Sequence, residues 1–180
     1  MQNQLTQQQI TLLAQEQWPK LKRFFKAKVP EPDCYDLTQD TLLAFVRADP
    51  AQLRDPKAYL WGIARKRLLA YCARKRPSET FESTRMSMAD IGGFSTVLDR
   101  RRRLLGALQR LPLDQQVAFE LRHCEELSLQ EVADAMELSL ATIKRYLQAA
   151  TASLRDILAT REYADESADH AAIVDVYRKG

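Results

Sequence analysis

Apolar residues recur every three to four positions along most of the chain, the period of a helix with one buried face. Ile10, Leu13, Ala14 and Gln17 give a first helix a modest inner face, and Thr6 with Gln9 three residues later resembles the capping box that would open it. Pro19 then predicts a fresh helical start, because proline suits a first turn. "KLKRFFKAKV" (20–29) continues with Leu21, Phe24, Phe25 and Val29 at helical spacing, and "PEPDC" (30–34) is a break. From Asp36 a strong helix runs through "LTQDTLLAFVRA", with Leu37, Thr41, Ala44, Phe45 and Ala48 as its inner stripe. Two Asp-Pro steps bound a loop over 49–56, since a residue before proline avoids helix. A long basic helix follows over about 57–75, with Leu60, Ile63, Ala64, Leu68 and Tyr71 or Cys72 facing inward.

Residues 77–99 change character, as Ser, Thr and a Gly pair replace periodic Leu. Such a stretch reads as a linker and the best domain boundary in the chain. Helix resumes over 100–111 with Leu104, Leu105, Leu108 and Leu111 in register, and Pro112 ends it. Asp114 is placed to cap the next helix, "QQVAFELRHCEEL", where Val117, Ala118 and Leu121 recur. No strand pattern occurs. The expectation is an all-α fold of two small helical domains, 5–76 and 100–158, joined by a flexible linker, with a tail over 159–180 of unknown role.

"LSLQEVADAMELSLATIKRYLQ" (127–148) has the form of a helix-turn-helix. Ser128 and Glu131 make a second capping box, and Leu129, Val132, Ala133 and Met136 form the first helix's buried face. Glu137 and Leu138 make the turn, where a left-handed backbone would favour glycine. Ser139 is set to cap the second helix, and Ile143, Leu147 and Ala150 face the core. Ala141, Thr142, Lys144, Arg145 and Gln148 are left outward. Arg145 and Gln148 offer paired hydrogen bonds to base edges, while Thr142 and Lys144 suit phosphates.

Composition agrees with a helical reading: 46% apolar residues, 5 Gly and 7 Pro in 180 residues leave too few turn formers for an all-β fold. The net charge of +3 does not itself demand a polyanionic partner, but its distribution does change the picture. Acidic residues cluster in "EPDCYDLTQD" (31–40), whereas Arg54, Lys57, Arg65, Lys66, Arg67, Arg74, Lys75 and Arg76 face Asp55 alone. Two faces with two partners are implied. No apolar run reaches the roughly 18–20 residues of a membrane span, and "MQNQLTQQQ" lacks the features of a signal peptide. Cys34, Cys72 and Cys124 are isolated and odd in number, as expected of structural cysteines in a reducing cytoplasm. No metal-ligand spacing, Ser-His-Asp set or glycine-rich phosphate loop is present, and His123 and His170 are the only histidines. The expectation is a protein that is not an enzyme and takes no cofactor, metal or small-molecule substrate.

Taken together, three segments resemble bacterial RNA polymerase sigma factors. "YDLTQDTLLAF" (35–45) resembles the family's D-L-x-Q-[DE]-T-[FL] motif, and "PKAYLWGIARKRLLAYCARKR" (56–76) its W-L-x-x-I-A-[RK] basic helix. Residues 108–148 resemble its second DNA-binding region, with L-x-x-L-P followed by L-S-x-x-E-I-A and S-x-x-T-V-K. The spacing resembles the short extracytoplasmic-function type, which keeps only regions 2 and 4, and "LRDPKAYLWGIARKR" with "TIKRYL" resembles the ferric-citrate-uptake subgroup. The resemblance covers roughly residues 10–158.

It implies a transcription initiation factor that binds core RNA polymerase and promoter DNA. Asp36, Leu37, Gln39 and Asp40 match the motif that docks on the polymerase β′ clamp. The loop 47–56 and the helix after it match the region that opens the −10 element. There Tyr59 and Trp61 are the candidates to stack on an extruded base, and Arg54, Lys57, Arg65, Lys66 and Arg67 to follow the exposed strand. Helix 100–111 would meet the β flap, and Ala141, Thr142, Lys144, Arg145 and Gln148 would read the −35 element. An anti-sigma factor is a further implied partner. The chain departs from the family's pattern at Tyr35, Lys66, Gln116 and Glu137, and has Gln148, Ala149 and Ala150 where many members have more basic residues. The alternative is a stand-alone helix-turn-helix regulator with a helical sensor or dimerisation domain, for which no long coiled-coil heptad is visible.

Overall fold

The computed structural model describes residues 6–75 and 103–159. The expected linker 77–99 and the tail beyond Ala159 lie outside them. The described residues are helical, with no strand among them. By their contacts they fall into two compact units: 6–75 with Asp134–Glu137, and 103–133 with 138–159.

Three long helices build the first unit. α1 spans Gln7–Lys26 and opens on the capping box: the Thr6 hydroxyl accepts from the Gln9 amide at 3.3 Å, and the Gln9 side chain accepts from the Thr6 amide at 2.8 Å. The fresh start expected at Pro19 does not occur, because Pro19 sits inside α1. An interior proline costs about 3 kcal/mol or more. The stripe Ile10, Ala14, Gln17, Leu21, Phe24 and Phe25 is buried on both sides of it. Each large member contributes about 1.5–3 kcal/mol on burial, so continuing the helix outweighs the lost hydrogen bond.

α2 spans Asp33–Val46 and begins three residues before the position the periodicity suggests. Cys34, Leu37, Thr38, Thr41, Leu42 and Phe45 are buried on it. Thr38 and Thr41 enter the core at no polar cost, since their hydroxyls donate to the Cys34 and Leu37 carbonyls at 2.7 Å each. The Asp-Pro loop contains a single 3-10 turn over Pro50–Gln52, held by the Asp49 carboxylate on the Ala51 amide at 3.0 Å. α3 then spans Pro56–Lys75, and the Asp55 carboxylate accepts from the Ala58 amide at 2.9 Å. Both aspartates are helix starters before proline, which the sequence pattern had placed as a loop boundary.

The second unit starts with a helix described over 103–108, labelled α4, whose Leu104, Ala107 and Leu108 are buried. α5 spans Leu113–Phe119 and has no side-chain cap; Asp114 lies inside its first turn rather than before it. The helix then widens to a π turn over Glu120–Cys124, which helical periodicity alone does not disclose. Buried Gln116 and Glu120 satisfy each other there, with Gln116 Nε2 donating to Glu120 Oε1 at 2.9 Å. The segment closes with Glu126 at φ 59° and with Arg122 Nη1 donating to the Leu127 carbonyl at 2.7 Å.

α6 (Leu129–Met136) and α7 (Leu140–Ala159) are the last two described helices. α6 opens on the second capping box, Ser128 with Glu131. The Glu137 amide bonds to the Asp134 carbonyl at 3.3 Å and the Leu138 amide to the Ala133 carbonyl at 3.0 Å, closing α6 with Glu137 at φ 55°. Glutamate thus holds the left-handed position where glycine was expected. α4, α5 and α7 share one core: Leu104, Leu108, Leu111, Phe119, Cys124, Ala150 and Leu154 are buried together.

Candidate nucleic-acid interface

The second unit presents one exposed ridge on α7. Ser139 starts the helix, its hydroxyl accepting from the Thr142 amide at 3.1 Å. Ile143, Ala150 and Leu154 are buried and fix the rotation of α7 against the core. Leu147 is half-buried, packed on the same cluster. Ala141, Lys144, Arg145 and Gln148 are all exposed, spaced i, i+3, i+4 and i+7 along a single face. Thr142 differs from the expectation. It is half-buried, and its hydroxyl lies 2.9 Å from that of Ser139, so it belongs to the cap. The sequence reading also missed Leu140, which leads the helix and is 40% exposed.

In the first unit, α2 carries the acidic face. Asp36, Gln39 and Asp40 are exposed, while Leu37, grouped with them in the sequence, is buried and belongs to the core. Asp40 accepts from Arg67 Nη1 at 3.3 Å, joining this face to α3. Two residues absent from the expected set share the surface: Tyr35 and Leu43, the latter 52% exposed. Lys22 Nζ stands 4.3 Å from the Tyr35 ring centroid. Leu43 was legible in principle, because "TLLAF" places two leucines side by side and a helix buries only one of them.

The expected strand-following set divides. Arg54 and Lys66 are exposed, and Lys57, Arg65 and Arg67 are half-buried. Tyr59 and Lys66 share a stripe seven residues apart, continued by exposed Arg74. The Tyr59 ring leans on Phe45 at 6.4 Å between centroids and keeps an open face, with 45% exposure. Trp61 is fully buried and packs edge-on against Phe24 at 5.4 Å. It cannot stack on a base from that position. The reason is rotational: two residues along a helix turn the side chain by about 200°, so Tyr59 outward requires Trp61 inward.

Cys34 and Cys124 are buried, and burial followed by the nearby Glu31 pushes the Cys34 thiol up from its ordinary value. Among the described residues no group of His, Cys, Asp and Glu is arranged to hold a metal ion. No helix among them is long and apolar enough to cross a membrane.

Residues 101–154 match the family described as Sigma-70, region 4. No curated protein matches the chain. Among solved structures, the chain is similar to the sigma factor RpoE crystallised with the anti-sigma factor NepR from Bartonella quintana, at 24% identity and a TM-score of 0.64, over 86% of this chain and 98% of that one. It is also similar to CnrH in complex with the cytosolic domain of CnrY, at 18% identity and a TM-score of 0.64, over 87% of this chain and 92% of that one. The chain therefore has the all-helical fold of these two proteins, and its second unit matches sigma-70 region 4.

Proposed function

We propose that the chain is a transcription initiation factor, a sigma factor of the extracytoplasmic-function type resembling the ferric-citrate-uptake subgroup. It binds core RNA polymerase and directs it to promoters; the polymerase core supplies the chemistry, and this chain is not an enzyme. The observation that carries the reading is the exposed α7 ridge of Ala141, Lys144, Arg145 and Gln148, lying within the residues that match Sigma-70, region 4.

The division of labour follows from the surfaces. α7 enters the major groove of the −35 element, with Arg145 and Gln148 reading base edges and Lys144 holding phosphate. Tyr59 stacks on an extruded base of the −10 element, and Arg54, Lys57 and Lys66 attract the exposed strand. Asp36, Gln39 and Asp40 dock on a basic surface of the β′ clamp, and α4 meets the β flap. Two modest DNA contacts on one chain reinforce each other through their raised effective concentration. Both similar solved structures are complexes, one named with an anti-sigma factor, which supports a protein inhibitor as a further partner.

In vitro transcription with purified core polymerase on a promoter library tests the reading. Defined start sites sharing an upstream and a downstream element are expected only when the chain is added. An unchanged start-site profile overturns it. Tight sequence-specific binding to a palindrome by the free protein, as a dimer, would instead establish a stand-alone regulator.

A further inference from the structure

Leu140 is a large aliphatic side chain, 40% exposed, on the first residue of α7. It caps nothing: Ser139 supplies the cap, and Thr142 is drawn into it. A leucine there offers none of the dipole advantage of an acidic residue, and the first turn of α7 contains no acidic residue at all. Helical side chains lean toward the N-terminus, so Leu140 stands over the leading end of the helix. Ser139 and Ala141, next to it in sequence, and Lys144, one turn on, are also exposed. Ala141 adds a second exposed methyl at the leading end of the helix, and Lys144, one turn on from Leu140, attracts a polyanion to its edge.

We propose that Leu140, with Ala141 beside it, is a specificity-determining contact for a thymine in the duplex element read by α7, taking the thymine C5-methyl in the major groove. The inference rests on the reading of the chain as a promoter-recognition factor. Residues at the start of a recognition helix reach base edges, and the thymine methyl is the apolar feature that a base pair displays in the major groove. With Thr142 occupied by the cap, the leading edge of the helix offers apolar surface, while the hydrogen-bonding groups Lys144, Arg145 and Gln148 follow behind it. Covering exposed Leu140 with a methyl group removes apolar area from water on both partners.

Replacing thymine by uracil in DNA removes only that methyl, which gives the test. On a promoter transcribed by core polymerase with the full chain, each thymine of the upstream element is replaced in turn by deoxyuridine. The wild-type protein is expected to lose about fourfold in transcript yield at one position, the weight of one buried methyl group. Leu140→Ala is expected to yield less transcript from the thymine promoter and to be indifferent to uracil at that position, while Leu140→Met retains the sensitivity. Thermal melting of each variant separates a folding defect from a reading defect. Indifference of the wild type to every substitution overturns the inference, as does undiminished sensitivity in Leu140→Ala. Equal loss by Leu140→Ala on all sequences also overturns it and assigns the leucine to a protein partner. Absence of any directed transcript, seen before a base is changed, overturns the promoter-recognition reading itself and the inference with it.

Discussion

The Ser139 hydroxyl accepts the Thr142 amide at 3.1 Å and lies 2.9 Å from the Thr142 hydroxyl, so both side chains close the start of the exposed helix. Ser139→Ala removes the acceptor and leaves an amide without it. A loss of about 1 kcal/mol in unfolding free energy is expected, measured by chemical denaturation. Ser139→Asp restores most of the stability, since aspartate caps equally well. A destabilisation below a few tenths of a kcal/mol for Ser139→Ala would contradict the assignment.

Trp61 and Tyr59 are expected to separate stability from strand opening. Trp61→Ala empties a fully buried site, at an expected cost of about 3–5 kcal/mol. Tyr59→Ala, at a 45% exposed position, is expected to change stability by less than about 1 kcal/mol. It is nevertheless expected to impair formation of the open promoter complex, and Tyr59→Phe to preserve it. Permanganate footprinting of unpaired thymines reads the opening and equilibrium unfolding reads the fold. Normal opening by Tyr59→Ala would remove Tyr59 from the stacking role.

On α2, Asp36 is exposed and Leu37 is buried. Asp36→Arg is therefore expected to leave the melting temperature nearly unchanged while weakening binding to core polymerase by tenfold or more, about 1.4 kcal/mol per tenfold. Leu37→Ala is expected to do the reverse, losing about 2–5 kcal/mol of stability. Fluorescence titration of labelled protein with core polymerase checks the first, and added salt should weaken the wild-type interaction. Unaltered affinity in Asp36→Arg would place the docking face elsewhere.

Gly106 lies in α4, exposed, and a methyl group added there meets nothing within 4 Å. Gly106→Ala is expected to raise stability by about 0.5–1 kcal/mol through reduced chain entropy in the unfolded state. An unchanged or lowered denaturation midpoint would mean that the added methyl group disturbs a contact of α4.

Most of this architecture is legible in the order of the residues, because long amphipathic helices with capping boxes announce themselves. Thr6 with Gln9 and Ser128 with Glu131 close as their spacing indicates. Pro19 misleads because a local rule about one amide is outweighed by a stripe of large apolar residues on either side. The π turn at Glu120–Cys124 is hidden because its hydrogen bonds, such as Glu125 amide to Glu120 carbonyl at 3.0 Å, depend on tertiary packing. The surface residues were less legible than the core. Leu37 and Trp61 sit within motifs but point inward, and Thr142 faces its own helix start. Which side of a helix is exposed depends on rotation about its axis, and the packed neighbours set that rotation.

Glu126 and Glu137 hold left-handed backbones, φ 59° and φ 55°, at the two ends of the segment that carries α6. An L side chain in this region costs on the order of 1 kcal/mol that glycine does not incur. Neither residue lies on the ridge of Ala141, Lys144, Arg145 and Gln148. Glu137 also holds Lys66 through its carboxylate, so Glu126 is the position where the thermal endurance of the helix-turn-helix can be adjusted without altering that ridge or the pairing of Lys66. A recognition module in which endurance and surface chemistry are tuned at different residues is a practical scaffold for building variants with new sequence preferences.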